Sequence, residues 1–107
     1  MPFSMFVAYP NTPGAKFNVE YYSTTHFGIV EKLWRTEGLE SWNVVSFIGD
    51  EKAPYMVIAE TVWRDGAAAA TAFSPGPALA EVMADVPNFT ELAPVTFAGE
   101  QVAKSKF

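Results

Sequence analysis

Phe17 to Gly38 reads FNVEYYSTTHFGIVEKLWRTEG, and its periodicity predicts an amphipathic helix. At about 100° per residue, one side of this helix is apolar and the other side carries the charged residues. The apolar side holds Val19, Tyr22, His26, Phe27, Ile29, Val30, Leu33 and Trp34. Asn18 is suited to cap the first turn, and Gly38 is suited to end the helix. The rest of the chain must supply the surface on which the apolar side packs.

His26 is the only histidine in the chain and lies near the middle of that apolar side. A titratable ring in an apolar layer needs a hydrogen-bond partner or must border a cavity. Two interpretations stay open. His26 is either a general acid or base that meets a ligand, or a core histidine bonded to a neighbouring hydroxyl or carbonyl.

Strand patterns before and after this helix predict the other layers. Trp42 to Ile48 and Tyr55 to Trp63 are rich in β-branched and aromatic residues, and a turn-rich segment at 49–54 joins them. The other predicted elements are a strand at Phe3 to Tyr9, a helix at Gly66 to Phe73, a helical segment from Pro77 to about Ala84, and an irregular strand within Phe89 to Val102. This order predicts an α+β, ferredoxin-like βαββαβ fold, with a four-stranded antiparallel sheet and two helices on one face.

Both faces of the predicted sheet are apolar. In the strand Tyr55 to Trp63, for example, Val57 and Ala59 point to one side, while Met56 and Ile58 point to the other. Two helices can cover only one face of the sheet. We therefore expect the other face to pack on a second copy of the chain, which predicts a homodimer.

Composition narrows the classes of function. The chain has 107 residues, enough for one domain over residues 1–107, and half of them are hydrophobic. A net charge of -5 without a basic run argues against nucleic acid and against anionic membranes. No cysteine is present and there is one histidine, so a thiolate or histidine-rich metal site is not expected. The sequence contains no glycine-rich phosphate-binding motif, so a nucleotide or flavin cofactor is not expected. The default expectation is a cytoplasmic protein without a bound cofactor.

Several short segments, spread over almost the whole chain, resemble the EthD family of small dimeric α+β-barrel proteins. The matching pieces are residues 7–10 (VAYP), Phe17, Tyr21, Tyr22, His26, residues 54–55 (PY), 58–60 (IAE), 84–89 (ADVPNF), 94–95 (PV) and 99–100 (GE). The resemblance implies a ferredoxin-like fold, a homodimer and a pocket between helices and sheet. It also implies an oxidoreductase grouping, which rests more on operon context than on chemistry. The family often has proline and leucine two and three residues after the histidine, where this chain has Gly28 and Ile29.

His26, Tyr22 and Glu60 are the candidates for proton transfer. Tyr22 lies one helical turn before His26 on the same side. Glu60 shares a strand face with Met56, Ile58 and Val62, so its carboxylate needs a partner or a pocket there. If that face meets the helix, Glu60 lies near His26; the alternative is an edge or surface position. The expected ligand-binding residues are Tyr9, Tyr22, Ile29, Ile58 and Trp63.

These residues leave several functions open. One is a small-molecule enzyme of the oxidoreductase grouping that acts on a hydrophobic, oxygen-bearing compound through His26. Another is a non-catalytic accessory protein that binds a hydrophobic intermediate for a partner oxygenase. A third is a cofactor-free lyase or isomerase, because proton transfer alone is sufficient for such reactions.

Overall fold

The computed structural model describes residues 1–107 and has the predicted order of elements. Four strands form one antiparallel sheet in the order β2-β3-β1-β4, with β1 in the middle, paired to both β3 and β4. The strands are β1 (Phe3–Pro10), β2 (Leu39–Ser46), β3 (Tyr55–Trp63) and β4 (Val95–Glu100). The α-helices are α1 (Val19–Tyr21), α2 (Phe27–Trp34), α3 (Gly66–Ala72) and α4 (Pro77–Asp85). This arrangement is the ferredoxin-like α+β fold, as predicted.

The strand boundaries differ from the predicted ones where the backbone is irregular. β3 has the predicted limits, but β2 begins at Leu39, three residues earlier than expected. A bulge between Leu39 and Ser41 shifts the register there, which breaks the alternation that marks a strand in the sequence. β4 is shorter than expected because it starts only after Pro94.

The amphipathic helix is continuous over residues 19–37 but is not regular. A π-helical stretch, Tyr22–His26, separates α1 from α2, and a 3₁₀ turn, Arg35–Glu37, ends the helix. Asn18 caps it as predicted, since its side chain accepts a hydrogen bond from the Tyr21 N–H. Gly38 follows with φ of 109°, and a Cβ at this position would lie 2.7 Å from the Ala68 Cβ. Glycine is therefore required at this turn, both for its dihedral angle and for its small size.

The second helical region packs closely on the same sheet face. Asp65 caps α3 by accepting a hydrogen bond from the Ala68 N–H at 2.8 Å, as its position in the sequence predicts. Ala68, Ala69 and Ala72 are buried, because small side chains let this helix approach the sheet. Pro77 begins α4, and a 3₁₀ turn, Val86–Asn88, follows it.

The helices cover one face of the sheet and form the core with it. On this face of β3, Val57, Ala59 and Trp63 are fully buried. The opposite face is open, and Val45, Val95 and Phe97 remain between 45% and 47% exposed on it. An uncovered apolar face is thus present, as the two-sided pattern predicts. None of the helices has the length and apolar character that crossing a membrane requires.

Candidate functional site

The imidazole of His26 is bonded to a carboxylate that approaches from the other helical region. His26 Nδ1 lies 2.9 Å from Asp85 Oδ2. The two residues are only 5% and 9% exposed, and they are 59 positions apart in the chain. His26 ends the π-helical stretch and Asp85 ends α4, so the bond joins the two helical regions on this face of the sheet.

Two further side chains bind the same carboxylate. The Tyr21 hydroxyl donates to Asp85 Oδ1 at 2.7 Å, and the Asn88 amide donates to the same oxygen at 2.9 Å. Asn88 Nδ2 also lies 3.4 Å from the Tyr21 hydroxyl oxygen. We call His26, Asp85, Tyr21 and Asn88 the His26 cluster. Each oxygen of its carboxylate has at least one donor, as a buried carboxylate needs.

The π-helical stretch explains how one helix places both Tyr21 and His26 against Asp85. In a regular α-helix, residues five apart point about 140° away from each other, at 3.6 residues per turn. The π-helix has i→i+5 bonds, so such residues come close to one face, and the Phe27 N–H bonds to the Tyr22 carbonyl in this way. The hydroxyls of Ser23 and Thr24 bond to carbonyls four residues earlier. Such bonds compete with the α-helical ladder and favour the wider turn.

The electrostatics of the pair favour a neutral ring beside an ionised carboxylate. Burial lowers the pKa of His26, and the hydrogen bond and charge of Asp85 offset only part of that effect. Burial alone would raise the pKa of Asp85, but the hydrogen bonds from Tyr21, Asn88 and His26 together bring it below its ordinary value. A neutral imidazole that donates its Nδ1–H to Asp85 carries its lone pair on Nε2.

The second ring nitrogen of His26, Nε2, has no hydrogen-bond partner within the chain, since the ring is bonded only through Nδ1. No fully buried side-chain nitrogen or oxygen in the structure lacks a partner. Nε2 therefore lies where a water molecule can reach it.

Aromatic rings surround the imidazole. The Tyr22 ring stacks on it with centroids 5.4 Å apart and an angle of 18° between the planes. The Phe89 ring lies 4.7 Å from it, and the Phe27 ring meets it edge-on at 5.8 Å. Burial raises the pKa of Tyr22, and it raises the pKa of Tyr9 beside it to about 12. Both phenols stay neutral, and Tyr22 packs against the imidazole as a buried aromatic ring.

A surface groove of about 710 Å³ adjoins the cluster. Asn88 and Phe89 belong both to the wall of this groove and to the surroundings of His26 and Asp85. The other wall is the segment at residues 14–18, which includes Phe17. The resemblance implied a pocket between helices and sheet, whereas this groove is lined by the segments at residues 14–18 and 87–92. The groove lies at one end of the core, on the surface.

Another groove lies away from the cluster. Its volume is about 530 Å³, and Glu31, Arg35 and Trp42 are among its lining residues. Its lining contains no member of the His26 cluster. We therefore assign no part of the candidate site to this second groove.

Glu60 does not lie near His26, so it cannot assist proton transfer there, and the alternative surface position is the observed one. Val57, Ala59 and Trp63 point to the helices, and Glu60 consequently points to the open face of the sheet. There it accepts hydrogen bonds from Ser4 Oγ at 2.8 Å and from Asn43 Nδ2 at 3.1 Å. Because both faces of the strand are apolar, alternation alone does not show which of them the helices cover.

The predicted ligand-binding residues are divided among three environments. Tyr9 and Tyr22 lie in the aromatic group next to His26, with their ring centroids 6.0 Å apart. Ile58 shares the open face with Glu60, and Ile29 packs partly buried against the core. Trp63 is fully buried, packs on Trp34 and donates its indole N–H to Thr61. The structure thus corrects the expectation for Trp63, which is a fully buried core residue.

Asp85, Tyr21 and Asn88 are the members of the cluster that sequence reasoning missed. Asp85 and Asn88 occur in the ADVPNF segment of the EthD resemblance, but without a role. Helical spacing contained a further signal, because Ala78, Val82 and Asp85 follow one another at intervals of four and three. A carboxylate on the apolar side of a short helix needs a partner, and His26 was the natural candidate. No three His, Asp or Glu side chains come together in a way that suits a metal ion.

Comparisons with known proteins give a fold and no closer relationship. No family model matches the chain, and no curated protein matches it in sequence. An EthD-like protein from Ralstonia eutropha JMP134 has a similar structure, with a TM-score of 0.81, 20% identity and coverage of 97% of this chain and 95% of that one. An ethyl tert-butyl ether (EthD) family protein from Bacillus halodurans C-125 has a TM-score of 0.69 and 17% identity, with coverage of 95% of this chain and 100% of that one. HapK from Hahella chejuensis has a TM-score of 0.66 and 13% identity, with coverage of 98% of this chain and 97% of that one. The EthD resemblance is therefore confirmed at the level of the fold.

Proposed function

We propose that this chain is a cytoplasmic EthD-type enzyme of small-molecule metabolism in which His26 moves a proton on a small hydrophobic, oxygen-bearing compound. One observation carries the proposal. The bond of 2.9 Å from His26 Nδ1 to Asp85 leaves Nε2 without a partner in the chain. A histidine whose Nδ1 is hydrogen-bonded to a carboxylate has both the orientation and the tautomer that general-base catalysis at Nε2 needs.

The chemistry of the pair follows from its charges. Nε2 accepts a proton from the bound compound, and the Asp85 carboxylate stabilises the imidazolium that forms. The ring of Phe17, which is only partly buried and lines the adjoining groove, provides an apolar contact surface for the carbon skeleton. Such a step belongs equally to the oxidoreductase grouping that the resemblance implies and to a cofactor-free lyase or isomerase.

The second candidate is a non-catalytic accessory protein that holds a hydrophobic intermediate for a partner oxygenase. The groove beside Phe17 and Phe89 favours it, because binding requires only an apolar, aromatic wall. Proton transfer at His26 distinguishes the two functions, since an accessory protein does not need it.

Exchange of carbon-bound hydrogen provides a direct test. Acetophenone, a hydrophobic ketone, is incubated with the protein in D₂O, and proton NMR follows the loss of its methyl signal. We expect the wild-type chain to exchange these hydrogens roughly 10²-fold faster than His26→Gln, which is the lower end of general-base contributions. Glutamine retains much of the shape of histidine but cannot take up the proton. If acetophenone binds equally to both proteins but neither protein exchanges its methyl hydrogens, the result supports the accessory function.

We also propose that the chain is a homodimer joined through the open sheet face. The exposed Val45, Val95 and Phe97 on that face support it, because an uncovered apolar sheet is unfavourable in water. Sedimentation at micromolar concentration should give about twice the chain mass of 11.7 kDa. Phe97→Glu should give a folded monomer, whereas the control Met83→Glu, at a 56% exposed position on α4, should remain dimeric. A wild-type chain that is monomeric would contradict the proposal.

A further inference from the structure

We infer that Tyr21 is a positioning residue for His26, acting through Asp85, and that the π-helical stretch is what brings its hydroxyl to the carboxylate. The inference rests on the proposed proton transfer by His26. It adds a residue that touches neither the groove nor the imidazole. Its evidence is the geometry of the His26 cluster.

Tyr21 controls which oxygen of Asp85 faces the histidine. Its hydroxyl, 2.7 Å from Oδ1, and the Asn88 amide, 2.9 Å from the same atom, occupy one oxygen of the carboxylate. Oδ2 is left for His26 Nδ1. Asn88 is exposed and only three residues from Asp85, so its bond is local to the end of α4. Tyr21 belongs to the same helix as His26, so two bonds fix Asp85 relative to that helix.

The hydroxyl of Tyr21 is also placed there by a departure from regular helix geometry. A π-helical turn is rare and is often found at functional sites. Tyr22, the next residue, fills the core and is 2% exposed, while Tyr21 is only half-buried. Packing therefore accounts for Tyr22 better than for Tyr21. The rings of Tyr21 and Phe89 lie 6.5 Å apart, which leaves the hydroxyl bond as the closest tie of Tyr21 to the cluster.

The bond has an electrostatic consequence for His26. A phenol that donates to a carboxylate draws off part of its negative charge, and the carboxylate then stabilises an imidazolium less. The other titratable groups around the ring are Tyr22, on its own helix, and Tyr9, on β1 behind Tyr22. Both are neutral phenols, so Asp85 is the one charged group bonded to His26. Tyr21 thus helps to keep His26 neutral, with its lone pair on Nε2.

The test is Tyr21→Phe, which removes the hydroxyl and keeps the ring. NMR of the single imidazole gives its pKa and the state of Nδ1 without any substrate. We expect the His26 pKa to move upward in Tyr21→Phe, because Asp85 regains charge. Acetophenone exchange at a pH below the new pKa should then slow. Tyr55→Phe is the matched control, since the Tyr55 hydroxyl makes no hydrogen bond in the structure, and it should leave the His26 titration unchanged.

The possible results separate this inference from the proposed function. If Tyr21→Phe lowers stability but leaves the His26 titration as in the wild type, the hydroxyl is merely structural and the inference is overturned. If the pKa moves as expected while wild-type protein catalyses no exchange, the proposed function fails, yet the control of His26 by Tyr21 stands. An equal shift in Tyr55→Phe would overturn the inference as well, because the effect would not be specific to the cluster.

Discussion

Asp85 and Glu60 are carboxylates on opposite sides of the molecule, and both sit among apolar residues. Asp85 lies on the helical side, where it accepts bonds from two neutral side chains and from the only imidazole. Glu60 lies on the open face of the sheet, where it accepts bonds from a serine and an asparagine. Both are satisfied by hydrogen bonds, but only one of them has a titratable partner.

The comparison teaches that a carboxylate in an apolar setting is informative chiefly through its partner. Glu60 meets two neutral donors on a half-buried surface, an arrangement that needs no catalytic explanation. Asp85 fixes a histidine whose other nitrogen is free, and that combination can move a proton. The apolar setting is common to both sites, so it does not distinguish them.

Replacing each carboxylate with alanine should give the largest contrast. Asp85→Ala leaves His26, Tyr21 and Asn88 without their acceptor, and it should lower the free energy of unfolding by roughly 3 kcal/mol, because buried donors are left unsatisfied. Glu60→Ala removes two neutral hydrogen bonds at a half-buried site and should cost about 1 kcal/mol. Urea unfolding followed by tryptophan fluorescence measures both values. Equal losses would mean that the histidine adds nothing to the stability of the Asp85 site.

Acidification should give a smaller effect that again belongs to the Asp85 site. The folded pKa of His26 lies below its ordinary 6.5, so the unfolded chain takes up this proton first. Stability from the neutral ring is thus complete above about pH 6.5 and is lost as the pH falls through the folded pKa. The pKa values of Asp85 and Asp65 lie below their ordinary 3.8, so their stabilisation is lost only at lower pH. Urea unfolding at pH 7.5, 6.0 and 5.0 covers the first window.

His26→Gln is the control for that window. It removes the imidazole but leaves the carboxylates, so its stability should change little between pH 7.5 and 5.0. A wild-type chain whose stability rises on acidification over this range would show that Asp85 raises the pKa of His26 more than burial lowers it.

The fold was predictable because its signals are local. The alternation in Tyr55–Trp63, the helical period of residues 17–38 and the caps at Asn18 and Asp65 each depend on neighbouring residues only. The irregular elements were not predictable in the same way. The bulge at Leu39 and the π-helical stretch arise where tertiary contacts outweigh the regular pattern.

The site was predictable only in part. His26 stands out as a lone titratable residue on an apolar side, and that signal is present in the helix itself. Its bond to Asp85 joins residues 59 positions apart, and no local pattern indicates which carboxylate meets which ring. The position of Glu60 stayed open between the helix side and the surface because β3 is apolar on both sides, so its alternation has two equivalent interpretations.

The π-helical stretch accommodates one more residue than a regular helix would need. Removing one residue between Tyr22 and His26 would leave Tyr21 and the histidine four residues apart, and in a regular helix such residues lie only about 40° apart around the axis. A chain one residue shorter at this point would therefore keep both side chains facing Asp85, with a regular helix in place of the π-helical stretch. Among related sequences, the helix between the Asn18 cap and His26 can thus differ by one residue in length without loss of the cluster.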